Sequence, residues 1–164
     1  MATTAVTIEE YLSTDYEPDC DYVDGEIQKR NLGEFDHARL QGAVFAYFYA
    51  RRKEWGVCPV IEQRLQVSPT RFRVPDVCVM VGEAPGQIFR VPPLICIEVL
   101  SPEDRFSRTG ERIADYLQFG VPYVWVLDPK TRKAFRCTPG AIVEVTELRT
   151  ENPAMVVPLE ALFD

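Results

Sequence analysis

The chain has 164 residues, 46% of them hydrophobic, and 18 Lys and Arg stand against 25 Asp and Glu for a net charge of −7. This composition suits a folded globular protein long enough to bury a substantial core, and its negative charge speaks against a constitutive, nonspecific nucleic-acid binder. No apolar run approaches the ~20 residues that cross a bilayer. Met1-Ala2-Thr3-Thr4-Ala5 lacks a basic leader, and the five scattered cysteines form no CxxC pair, so the expectation is a cytoplasmic protein without a membrane partner, zinc knuckle or disulfide framework.

Thr7-Ile8-Glu9-Glu10 has the form of a capping box and predicts a short helix ending near Ser13. In Tyr22 to Ile27 the pair Asp24-Gly25 predicts a tight turn between two extended pieces. Asp36 can cap a longer helix reaching about Glu54, with Leu40, Val44, Phe45, Phe48 and Tyr49 near helical spacing and Trp55-Gly56 at its end. Val57 to Val67 reads as extended, and Ser68-Pro69-Thr70 as a turn.

Two short apolar strands come next, and they are the most informative part of the chain. Arg73 to Val81 carries Asp76 at its start, and Leu94 to Ser101 carries Glu98 between Ile97 and Val99. A carboxylate inside an apolar strand is costly to bury unless a cation or hydrogen bonds compensate it. Two of them on successive strands point to a shared partner, with a divalent metal as the candidate. A loop rich in Gly and Pro separates the strands. A helix from about Ser107 to Phe119, closed by Gly120, follows. The strand Tyr123 to Leu127 precedes a closing hairpin of Lys133 to Cys137 and Ala141 to Val145. These elements predict a single α/β domain over residues 1–164, with a central mixed sheet flanked by helices.

Several pieces in this order resemble the Uma2 family of bacterial endonucleases, within the restriction-endonuclease-like superfamily. They are Tyr22-Val23-Asp24-Gly25-Glu26, His37, Val74-Pro75-Asp76-Val77, Ile97-Glu98-Val99-Leu100-Ser101-Pro102, Tyr116, Gly120-Val121-Pro122 and Trp125-Val126-Leu127-Asp128-Pro129. The resemblance implies a restriction-endonuclease-like core and hydrolysis of phosphodiester bonds assisted by Mg²⁺, with Mn²⁺ as a substitute. It assigns Asp76 and Glu98 to the metal, adds Glu26 as a third carboxylate, and places His37, the chain's single histidine, at the site for phosphate contact or proton relay.

The resemblance breaks at the lysine. Leu100 stands two residues after Glu98, and the family's alternative lysine, four residues before Tyr116, is Arg112. Arginine stabilises negative charge but cannot give up its proton to act as a base. Arg108 lies one turn earlier, so the two could clamp a phosphate or form a solvated helix face. Arg71 and Arg73 are the other basic residues expected to approach DNA, and Ser101 is a further substrate-binding candidate. The nuclease reading implies double-stranded DNA as partner, and two strands need two sites, which an isologous homodimer supplies. The competing reading is a nuclease fold that has lost turnover and acts as a nucleic-acid-binding or protein-interaction module.

Overall fold

The computed structural model describes residues 5–30, 34–102 and 106–163. Helix α1 (Ile8–Leu12) carries the expected capping box: the Thr7 hydroxyl accepts from the Glu10 amide at 3.1 Å, and the Glu10 carboxylate accepts from the Thr7 amide. Strands β1 (Asp21–Val23) and β2 (Glu26–Gln28) form the first hairpin, turning at Asp24 and Gly25 with φ of 50° and 95°. Both angles are positive, which a two-residue turn of matching twist requires.

Helix α2 (Phe35–Ala50) starts one residue before Asp36, which lies inside the first turn rather than capping it. There its charge still favours the positive end of the helix dipole. The helix stops at Ala50, and a separate turn, α3 (Arg52–Trp55), brings Trp55 back against Tyr47 and Phe48, before Gly56 closes it in the left-handed conformation. Leu40, Val44 and Phe48 are buried as their spacing predicts. Tyr49 is exposed and Phe45 half-buried, because they sit off that stripe and stack on each other instead.

The remaining elements are β3 (Val57–Ile61), β4 (Leu65–Ser68), β5 (Arg71–Arg73), β6 (Val77–Val81), β7 (Ile95–Val99), α4 (Phe106–Phe119), β8 (Tyr123–Asp128), β9 (Lys133–Thr138), β10 (Ala141–Val145), β11 (Glu147–Thr150) and β12 (Met155–Pro158). A six-stranded sheet in the order β10-β9-β8-β7-β6-β3 forms the centre. It is mixed: β7 and β8 are parallel, joined through α4, and the other pairs are antiparallel. A four-stranded antiparallel sheet, β2-β1-β5-β4, and the ribbon β11-β12 complete it.

Alternation along the strands divides the core in two. Val77, Val79, Ile95, Ile97 and Val99 face α2 and the β11-β12 ribbon. Cys78, Met80 and Cys96 face the other way, against Ile113 and Tyr116 of α4 and Leu65 and Val67 of β4. A third cluster, Tyr11, Tyr22 and Phe72, fixes α1 to the smaller sheet.

Candidate active site

Strands β6 and β7 pair with Val77 opposite Ile97 and Cys78 opposite Cys96. One step further in that register Asp76 stands opposite Glu98. Glu98 reaches Tyr116 of α4, whereas Asp76 meets Arg30, His37 of α2 and the Val99 amide. Asp76 is 3% exposed and Glu98 1%.

The Asp76 carboxylate is held from three sides. Arg30 Nη2 donates to Oδ1 at 2.5 Å, the Val99 amide donates to Oδ2 at 2.8 Å, and His37 Nε2 lies 3.3 Å from Oδ2. Gln41 on α2 donates to the Asp76 carbonyl. Burial alone would raise the carboxyl, but His37, the Arg30 charge and the Val99 amide outweigh it and hold Asp76 below its ordinary value. Burial likewise disfavours the His37 imidazolium, yet the hydrogen bond and charge of Asp76 prevail and raise its pKa.

Glu98 is held less completely. The Tyr116 hydroxyl donates to Oε1 at 2.5 Å, whereas Oε2 has no hydrogen bond among the described residues and meets Arg112 Nη1 at 3.8 Å. Burial pushes this carboxyl up to about 8; Arg112 and Tyr116 pull it back, and the Asp76 charge adds to the rise. The two neighbouring acids are therefore shifted in opposite directions, Asp76 down and Glu98 up.

Other residues expected at the site are placed differently. Glu26 lies exposed at the turn end of the first hairpin, paired with Val23. The acid at the ribbon's buried end is Asp21, 2% exposed, which accepts from the Val74 amide and from Arg73. The sequence offered the same signal there as at Glu98, an acid among apolar residues in Cys20-Asp21-Tyr22-Val23. Arg73 does not reach outward to DNA. It is 1% exposed and joins β5 to Asp21, Gln28 and Asp115, because two buried carboxylates and a half-buried amide converge on its planar fork. Arg71 is likewise engaged by Asp24 and Asp115. Ser101 is buried just past the end of β7.

Arg108 and Arg112 do share one face of α4. Arg108 is exposed, and Arg112 turns inward toward Glu98. Together with Lys29 and Arg30 they line a cavity of about 20 Å³, also bordered by Asp21, Gln28 and Arg73. Arg30, which the sequence reading did not single out, thus joins the cavity to Asp76.

The profile of the Uma2 family, described as "Putative restriction endonuclease", matches residues 8–163. The chain belongs to the Uma2 family. Its fold is similar to the crystal structure of a putative nuclease of DUF820 from Anabaena variabilis, with a TM-score of 0.79 and 22% identity over 96% of this chain and 97% of that one. No curated protein sequence matches the chain. The Uma2 assignment and the mixed sheet flanked by helices agree with the nuclease-like fold expected from the motif order. Among the described residues no helix is long and apolar enough to cross a membrane.

Oxygen donors such as Asp76 and Glu98 suit a hard divalent cation. The buried Glu98 Oε2, without a hydrogen bond, is the kind of atom that such an ion satisfies. Among the described residues no three His, Cys, Asp or Glu side chains gather in a metal-holding cluster; Asp21 is engaged by Arg73, and Glu26 lies at the far end of its ribbon.

Proposed function

We propose that this Uma2 protein is a metal-dependent endonuclease that hydrolyses phosphodiester bonds in DNA. One observation carries the reading: Asp76, just before β6, and Glu98, in β7, are neighbouring buried acids, and Glu98 Oε2 has no hydrogen bond among the described residues. Asp76 and Glu98 would hold Mg²⁺ or Mn²⁺, with water completing the shell as Mg²⁺ commonly requires. The ion would supply charge neutralisation at the phosphate and a more acidic water.

The chain's own residues supply the rest. Arg108 and Arg112 face the phosphate from α4, and Arg112 stabilises developing charge without donating a proton. His37, whose imidazolium Asp76 favours, would contact phosphate or give up a proton. The Tyr116 hydroxyl fixes the Glu98 rotamer and leaves Oε2 available.

Calorimetric titration with Mn²⁺, followed by plasmid cleavage with and without chelator, tests the proposal. Ion binding that disappears in both Asp76→Asn and Glu98→Gln, with cleavage lost in parallel, is the expected result. Binding without cleavage would favour the non-catalytic reading, for which the replacement of lysine by Arg112 is the supporting observation. No ion binding at all would remove the metal-dependent mechanism.

A further inference from the structure

Arg30 carries an interaction for which a purely structural role gives a poor account. Its guanidinium is nearly enclosed, with the side chain 7% exposed, and Nη2 binds Asp76 Oδ1 at 2.5 Å. Its second contact, Nη1 to Glu62 at 3.5 Å, reaches a carboxylate that is 43% exposed. Nε is buried with no hydrogen bond among the described residues. Arg73, at a similar depth, spreads its hold over three acceptors, Asp21, Gln28 and Asp115. Arg30 instead concentrates its hold on the oxygen of Asp76 that neither Val99 nor His37 uses.

Its other side opens on the cavity that it lines with Lys29, Arg108 and Arg112. Five cationic residues, Arg73 among them, line it beside Asp21 and Gln28, and the volume of about 20 Å³ holds roughly one water, not a phosphate group. A phosphate can enter only if a lining side chain moves. Resting on the nuclease reading above, we propose that Arg30 is a shared counter-ion: it neutralises Asp76 while the carboxylate pair is empty, and turns to the phosphate once Asp76 is engaged by a divalent ion.

The argument is one of competing charges. Asp76 Oδ1 cannot serve a guanidinium and an ion at full strength, so sharing its charge weakens the hold on Nη2. The released fork then faces an anion already surrounded by Lys29, Arg108 and Arg112, with bidentate geometry suited to phosphate. Glu62 can accompany it only loosely, being half in solvent. The cation that stabilises the empty site thus becomes a substrate ligand in the loaded one, and ion and DNA should bind with positive coupling.

Two measurements test this without relying on turnover. Calorimetry with Mn²⁺ should show Arg30→Met binding the ion more tightly than the parent, on the order of tenfold, since a competing charge is gone. Anisotropy with a labelled duplex in Ca²⁺ should show the same variant binding DNA more weakly, with the log–log salt slope smaller by about one. Unchanged or weaker ion affinity overturns the proposal, as does an unchanged salt slope. Should Arg30→Met fail to fold, arginine Nε–Hε NMR of the parent decides instead. The Arg30 signal should move on adding Ca²⁺ and again on adding duplex, and a signal unmoved by both overturns the proposal. A parent that binds neither ion nor duplex overturns the nuclease reading and this inference with it. A parent that binds both, with Arg30→Met behaving identically, overturns only the role of Arg30.

Discussion

The Tyr116 hydroxyl donates to Glu98 Oε1 at 2.5 Å, so helix α4 holds the buried acid of β7 by a single neutral donor. Both residues are almost wholly excluded from solvent. Tyr116→Phe keeps the ring in the core but leaves a buried carboxyl with neither oxygen hydrogen-bonded. The expected loss is about 1–3 kcal/mol of stability, the cost of an unsatisfied buried polar group. Urea denaturation of the two proteins in chelator measures it, and an unchanged midpoint would mean that the bond contributes nothing.

The state of Glu98 makes stability depend on pH. Its folded pKa of about 8 lies above the ordinary 4.5, so the folded protein holds the proton more tightly than the unfolded chain. That contribution is fully present below pH 4.5 and is lost as pH rises through about 8. In chelator the parent should therefore weaken over this window relative to Glu98→Gln, which cannot ionise. The variant should be neutral or stabilised at pH 8 and should lose the thermal shift that Mg²⁺ or Mn²⁺ gives the parent. Melting curves across pH with and without ion check both halves, and equal ion shifts in the two proteins would refute the second.

His37 is the chain's only histidine, so its titration can be followed by NMR without assignment. Its pKa is raised because Asp76 outweighs burial. The linked stability is fully present below the ordinary value near 6.5 and fades as pH climbs through the raised value. In Asp76→Asn burial and the Arg30 charge oppose the imidazolium, with only the lesser charge of Glu98 to favour it. The midpoint should fall below that of the parent; an unmoved midpoint would disconnect His37 from Asp76.

Arg73 illustrates what the sequence conceals. Its buried partners are Asp21, 52 residues earlier, and Asp115, 42 residues later. No local pattern reveals such convergence, so Arg73 reads as a surface cation beside a strand. Arg73→Met should cost about 3–5 kcal/mol, because it leaves buried carboxylates uncompensated. The measured loss should appear in denaturation rather than in the salt slope of DNA binding.

The pair Asp76 and Glu98 was legible for the opposite reason. Each breaks an apolar strand, and such a break is visible without knowing the fold. Asp21 breaks one as well, but Asp24-Gly25-Glu26 beside it reads first as a turn and draws the assignment to Glu26. The hairpin turns and helix ends were legible because Thr7, Gly25, Gly56 and Gly120 act through their own backbone. How β1 and β5 join into a second sheet was not, since that pairing links residues about fifty positions apart. The β11-β12 ribbon also escaped notice: two four-residue strands are too short to show alternation distinctly.

Arg112 stands where the resemblance to the family implies a lysine, and it lies 3.8 Å from Glu98 Oε2, which has no hydrogen bond among the described residues. If the position supplies only charge, arginine serves as well as lysine, and Arg112→Lys should cleave plasmid DNA at nearly the parent rate. If the reaction needs a group that can release a proton, arginine with its pKa above ~12 cannot provide it. Arg112→Lys should then be faster by about 10²-fold, the low end for general acid–base assistance. The geometry favours the charge-only role: the guanidinium already faces Glu98 and borders the basic cavity with Arg30 and Arg108. Phosphoryl transfer, moreover, draws chiefly on electrostatic stabilisation. Arg112→Ala completes the series and should fall by about 10²–10³-fold, as removal of one stabilising donor does elsewhere. Equal Mn²⁺-dependent rates for all three proteins would place Arg112 outside the site.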